Sequence, residues 1–118
     1  MEENLVESKS KSLAVRIVRL YQYLSEEKLE YVLSKQVLRS GTSIGANVRE
    51  ALQGQSKADF TAKMSIALKE ANETEYWLEL LHETDYLNGG EYDSIRRDCG
   101  EVAKLLTSIV KTSRSKKT

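Results

Sequence analysis

Proline is missing from all 118 residues of this chain. Proline breaks helices and sets turns, so its absence leaves room for long, uninterrupted helices. Cysteine occurs once, at Cys99, which excludes a disulfide within the chain. Histidine also occurs once, at His82, so no metal site can draw two imidazoles from one copy. No apolar run approaches the roughly 18 residues that cross a bilayer. The opening MEENLVESKSKS lacks the basic start and apolar centre of a signal peptide. The cytoplasm is the expected location, with no membrane partner. An excess of one charge is lacking too: 18 basic and 18 acidic side chains cancel. That removes the overall basic field by which many proteins attract nucleic acid.

What remains is helical in character. The length suits a single domain over residues 1–118, with a flexible N-terminus at about 1–7 and a basic C-terminal tail at about 112–118. The chain is 40% hydrophobic and 31% charged, too apolar for a disordered segment and too charged for a membrane protein. A core this small gains from burying surface against further copies. The charges are unevenly placed. Nine acidic residues between Glu70 and Asp98 face only Arg96 and Arg97, whereas the five charges from Lys104 onward are all basic. The tail reads either as a frayed, solvated end or as an arm that contacts anions.

Four amphipathic stretches follow one another. The first, Ser8 to about Lys28, steps through Leu13, Ile17, Leu20 and Leu24. The second, Glu30 to Leu52, steps through Val37, Gly41, Ile44 and Val48. The cluster Gly41-Thr42-Ser43-Ile44-Gly45 could form a turn, at about 1 kcal/mol per helical glycine. The apolar register runs through it without a slip, which favours one helix whose glycines admit a close neighbour. Gly45→Leu is then expected to overpack, at about 1–3 kcal/mol. Ser56 and Asp59 resemble a capping box. They open a third helix, Lys57 to about Tyr86, with the longest repeat: Phe60, Met64, Ala67, Ala71, Thr74, Leu78 and Leu81. Asn88-Gly89-Gly90 is expected to stop it through a left-handed glycine. The fourth, about Glu91 to Lys111, carries Ile95, Cys99, Val102, Leu106 and Ile109. Short joints between four such helices predict an all-α, antiparallel, up-and-down four-helix bundle.

Chemistry is hard to place on these stretches. A carboxylate-bridged di-metal bundle needs two Glu-x-x-His motifs. Glu79-Leu80-Leu81-His82 supplies one, and no second histidine exists. Cys99 lies on an apolar stripe with no activating base beside it, as a small core residue would. No phosphate-binding glycine loop or serine elbow occurs. No catalytic residue, metal ligand or cofactor is therefore assigned, and no enzymatic activity is expected.

Polar residues beside apolar faces stand out instead. Asn47 and Glu50 adjoin the second stripe, and Glu70 and Glu73 adjoin the third, with Arg39, Arg49 and Lys63 available to neutralise them. They read either as a satisfied network that fixes register or as a site for a cation or a basic partner. Trp77, Tyr76 and the tyrosines at 21, 23 and 31 read as core or interface anchors, or as platforms for single-stranded RNA bases. Trp77 is expected at the bundle edge, where a neighbouring subunit could cover it.

Three pieces in combination carry a family likeness: LRSGTSIGANVREA, the joint with Ser56, Asp59 and Phe60, and IALKEANETEYWLELL. Together they resemble the bacterial four-helix-bundle family named after intervening sequences in large-subunit ribosomal RNA genes, over about Ala14 to Leu87. The resemblance implies a cytosolic bundle that forms a homo-oligomer, a homopentamer in known members. It also implies kinship with the accessory variability determinant of diversity-generating retroelements, a basic pentamer that binds nucleic acid and a reverse transcriptase. This chain differs from that protein in its zero net charge and acidic third helix. Ser43, Asn47, Glu50, Ser56, Asp59, Phe60 and Glu73 match the family pattern and read as structural, as does Glu70.

The sequence thus predicts a non-enzymatic oligomeric scaffold for structured RNA or a ribonucleoprotein. Arg16, Arg19, Arg39, Arg49, Lys111, Arg114, Lys116 and Lys117 are the candidate nucleic-acid contacts. A protein-interaction oligomer that offers its acidic face to a basic protein is the alternative.

Overall fold

The computed structural model describes residues 2–115. It contains four helices, α1 (Glu2–Glu26), α2 (Leu33–Leu52), α3 (Lys57–Glu83) and α4 (Gly89–Ser115). Among the described residues there is no strand. The helices form a rod of 51 × 22 × 19 Å. Helix α1 packs on α2 and α4, and α3 packs on the same two, while α1 and α3 do not approach each other. This is the expected up-and-down order. Among the described residues, no helix is long and apolar enough to cross a membrane.

The stripes read from the sequence form the core. Leu13, Ile17, Leu24, Ile44, Met64, Leu78, Leu81 and Leu106 are fully buried. Each such aliphatic side chain contributes about 1.5–3 kcal/mol. Helix α2 is continuous through both glycines, and neither has a positive φ. The glycine face is used inside the chain: Gly41 lies against Ile17, and Gly45 against Ser10. It therefore carries no argument for a second subunit.

The helix ends differ from expectation. Helix α1 starts at Glu2, inside the segment expected to be flexible, because Val6 extends the buried stripe by another turn. It ends without glycine: Leu29 takes φ 55°, and the Glu30 N–H donates to the Leu24 carbonyl at 2.9 Å. Helix α2 starts three residues later than expected because Glu30 caps it from outside. The Glu30 carboxylate accepts the amides of Val32 (3.1 Å), Leu33 (2.9 Å) and Ser34 (2.7 Å).

Ser56 caps α3 as expected, accepting the Asp59 amide at 3.0 Å. The glycine stop does not occur. Helix α3 ends at Glu83, with Asp85 in the left-handed region (φ 70°) and the Tyr86 amide bonded to the Leu81 carbonyl at 2.8 Å. Gly89 and Gly90 instead open α4, behind a reciprocal box. Asn88 Oδ1 accepts the Glu91 amide (2.8 Å), and Glu91 Oε1 accepts the Asn88 amide (3.0 Å). At its far end α4 runs on to Ser115, so the first part of the expected tail is helical.

Candidate functional site

The polar residues that drew notice in the sequence meet mainly along the seam between α2 and α3. Arg39 reaches across from α2 to Glu70, at 3.4 Å, and to Glu73. The Trp77 indole N–H donates to the same Glu73 carboxylate at 2.9 Å. Tyr76 sets its ring edge-on to Trp77, with centroids 5.1 Å apart. Beneath this surface group, the buried hydroxyls of Ser40 and Thr74 meet at 2.9 Å. Thr74 thus occupies a core position in the α3 repeat without leaving its hydroxyl unpartnered. Trp77 is partly buried at the bundle edge and packs against the core.

Nearer the α2–α3 joint, Lys63 pairs with Glu50 at 3.0 Å. That hydrogen bond, with the charge of Glu50 behind it, holds the ammonium pKa above its ordinary value. Asn47 turns back on its own helix, donating to the Ser43 carbonyl at 2.9 Å and hydroxyl at 3.0 Å. Among the described residues, every buried side-chain polar atom has a hydrogen-bond partner. Of the matched polar residues, Ser56 caps α3 and receives the Asp59 amide, Glu50, Glu70 and Glu73 form ion pairs between α2 and α3, and Ser43 and Asn47 bond to each other within α2.

The candidate nucleic-acid contacts lie on several sides of the rod. Arg16 pairs with Asp98 across the α1–α4 seam at 2.7 Å. Arg49 pairs with Glu7 across the α1–α2 seam at 3.5 Å. Arg39 is held on the α2–α3 seam, and Arg19 donates to Gln22 at 3.3 Å. Arg114 donates to Ser65 at 3.3 Å, and Lys111 is exposed one turn before it. Lys116 and Lys117 lie outside the described residues. The geometry places Lys111 and Arg114 one turn apart at the end of α4 and Arg16 and Arg19 one turn apart on α1, with Arg39 and Arg49 on other seams.

Cys99 is buried, with Sγ 3.6 Å from the Ala71 carbonyl. Burial, aided by the charges of Glu75 and Asp98, pushes its thiol pKa up to about 12. A thiol so held is a poor nucleophile. His82 stacks flat on Tyr92, with centroids 4.5 Å apart, and its Nδ1 lies 3.0 Å from the Leu87 carbonyl oxygen. A carbonyl only accepts, so Nδ1 carries the proton, and the imidazole ties the α3–α4 turn to both helices. Among the described residues, no three His, Cys, Asp or Glu side chains converge to hold a metal.

Sequence reasoning missed the Glu30 cap, the Arg16–Asp98 and Arg49–Glu7 pairs and the His82–Tyr92 stack. An acidic residue three positions before an apolar stripe was a readable sign of the first. The others join residues whose proximity depends on helix register and packing.

These features define first a class: a small antiparallel helical bundle whose polar residues fasten its helices to one another. Within that class, the chain belongs to the 23S rRNA-intervening sequence protein family, whose model matches residues 2–108. Among solved structures, it is similar to a protein with unknown function from the S23 ribosomal protein family of Bacteroides thetaiotaomicron. That crystal structure, at 1.70 Å resolution, shares 61% sequence identity and a TM-score of 0.93, over 94% of this chain and 99% of that chain. No match was found among curated proteins.

Proposed function

We propose that this protein is a non-enzymatic, cytoplasmic scaffold that assembles with copies of itself and contacts structured RNA or a ribonucleoprotein. The family match carries the RNA part of this reading. The exposed Lys111 and Arg114 at the end of α4 are the contact best suited to it, since Arg16, Arg39 and Arg49 are engaged by carboxylates. The pentamer is carried over from the family resemblance. The test is anisotropy of a labelled, structured 23S rRNA fragment at about 50 and 200 mM salt. Phosphate contacts release counterions, so binding should fall steeply between them. In Lys111→Gln/Arg114→Gln, loss of two contacts should flatten the log–log salt slope by roughly 1.5–2. Absence of binding at the lower salt would refute the RNA reading.

One observation favours a second reading, a protein-interaction oligomer with no nucleic-acid role. Glu75, Glu79 and Glu83 on α3 have no cationic partner among the described residues, so this face is suited to a basic protein. RNA-independent capture of one basic partner, lost when these glutamates are neutralised, would support it.

A further inference from the structure

At the end of the rod near the α2–α3 joint, the surface shared by α3 and α4 holds bases and no acid. Neither the α3 segment from Phe60 to Lys69 nor the α4 segment from Val102 to Ser115 contains an aspartate or glutamate. Lys63 turns to Glu50 on the α2 side. Lys69, Lys104, Lys111 and Arg114 are exposed and form no ion pair among the described residues. The hydrogen bond from Arg114 to Ser65 sets the two helices in register. Lys69, one turn on from Ser65, therefore stands about level with Lys111. Lys104, Lys111 and Arg114 recur at helical spacing and share one side of α4 over roughly 15 Å of its length. Acid lies outside this patch. Glu75 stands beside Gly100 farther along the seam, and Glu2 reaches α4 from the α1 side, accepting the Ser108 hydroxyl at 3.0 Å.

The patch has no aromatic platform. Phe60 is the one aromatic residue in these two segments, and it packs against the core. The exposed Tyr23, Tyr31 and Tyr76 lie toward the opposite end, by the α1–α2 and α3–α4 joints. Single-stranded RNA is held by stacking its bases on aromatic rings, whereas a base-paired helix presents phosphates and 2′-hydroxyls. We infer that this face, with Lys69 and Lys104 as contacts beside Lys111 and Arg114, binds the phosphate backbone of base-paired RNA without reading its bases. Glu79 and Glu83, toward the other end of α3, are repelled by the phosphates and keep that half of the rod away from the RNA. The inference rests on the RNA-contacting part of the proposed function and narrows it to one face and one form of RNA.

Anisotropy with the full chain tests it, using a mixed-sequence RNA duplex and a single-stranded oligouridine of equal length. The duplex should bind more tightly than the oligouridine. Lys69→Gln/Lys104→Gln alters exposed positions and is expected to fold, which circular dichroism verifies. It should flatten the log–log salt slope for the duplex by roughly 1.5–2. Lys28→Gln/Lys35→Gln removes the same charge from exposed positions at the opposite end and should leave that slope unchanged. Equal flattening by both variants, or oligouridine bound as tightly as the duplex, would overturn the inference and leave the RNA reading standing. Displacement of the duplex by poly-glutamate at equal charge would show a surface for an acidic protein and would also overturn it. No binding of either RNA at about 50 mM salt would overturn both the inference and the RNA reading.

Discussion

Gly41 of α2 lies directly against Ile17 of α1: a Cβ on Gly41 would sit 2.7 Å from Ile17 Cγ2 and 2.8 Å from Cγ1. Ile17 is fully buried, and a β-branched side chain in a helix has little rotamer freedom, so it cannot step aside. Gly45, one turn on, differs. Its added Cβ would meet Ser10 Oγ at 3.4 Å, an ordinary contact. The tight position of the glycine pair is therefore Gly41. Gly41→Ala should destabilise the fold by about 1–3 kcal/mol through overpacking, minus the roughly 1 kcal/mol that alanine returns in helix propensity. Gly45→Ala should be neutral or slightly stabilising. Urea denaturation of the two variants checks this, and equal midpoints would contradict the packing described.

Glu30 gives the protein an acid-sensitive joint. Burial by itself would raise its carboxyl pKa. The amides of Leu33, Ser34 and Val32 and the Ser34 hydroxyl together outweigh that and bring the pKa below its ordinary value. A depressed carboxyl contributes stability that is present above the unfolded-state pKa and lost as pH falls through the folded value. Glu30→Gln should cost about 0.5–2 kcal/mol at pH 7, as loss of a helix cap does. It should also be less sensitive than the parent to a shift from pH 5 to pH 2. Urea midpoints across that range read both effects.

How much of this was legible depended on the range of each interaction. The α3 repeat from Phe60 to Leu81 fell on buried positions except at Phe60, which is half-buried at the start of the helix, because a single helix's periodicity is a local property. The Ser56 cap was readable for the same reason. The stops after α1 and α3 were not, since they place Leu29 and Asp85 in a left-handed conformation that glycine usually marks. The glycines that did draw notice, Gly89 and Gly90, begin a helix, and the Asn88–Glu91 box just ahead of them was the informative signal. Of the charged residues, Arg39 and Lys63 were readable as partners of the glutamates on α2 and α3, whereas Arg16 could not be recognised as paired until α1 and α4 were in register, and Arg49 turned to Glu7 on α1 instead.

Two groups of bonds on the α2–α3 seam should differ in weight. Arg39 is half exposed, so its pairs with Glu70 and Glu73 are screened by water. Arg39→Ala should cost under about 1 kcal/mol. Thr74 is fully buried, and Thr74→Val removes the partner of a buried Ser40 hydroxyl. That should cost about 1–3 kcal/mol. Denaturant titrations, with Trp77 as the single tryptophan reporter, give the order. A larger effect from Arg39→Ala would contradict it.

Cys99 should resist alkylation in the folded protein at pH 8 and react promptly in urea. Its folded pKa of about 12 lies above the ordinary value of 9.0. The stability linked to its proton is therefore complete below pH 9 and lost as pH rises toward 12. Cys99→Ala should flatten the alkaline part of the stability profile. Fast alkylation without denaturant would contradict the burial of this thiol.

The measurement that reaches the central claim most directly is sedimentation of the full chain, alone and with a structured 23S rRNA fragment, at about 50 and 200 mM salt. The account predicts that the protein alone sediments as a multiple of 13.4 kDa. It should travel with the RNA at the lower salt and separate from it at the higher, as counterion release requires. A single 13.4 kDa species that never moves with the RNA would contradict both the assembly and its proposed role.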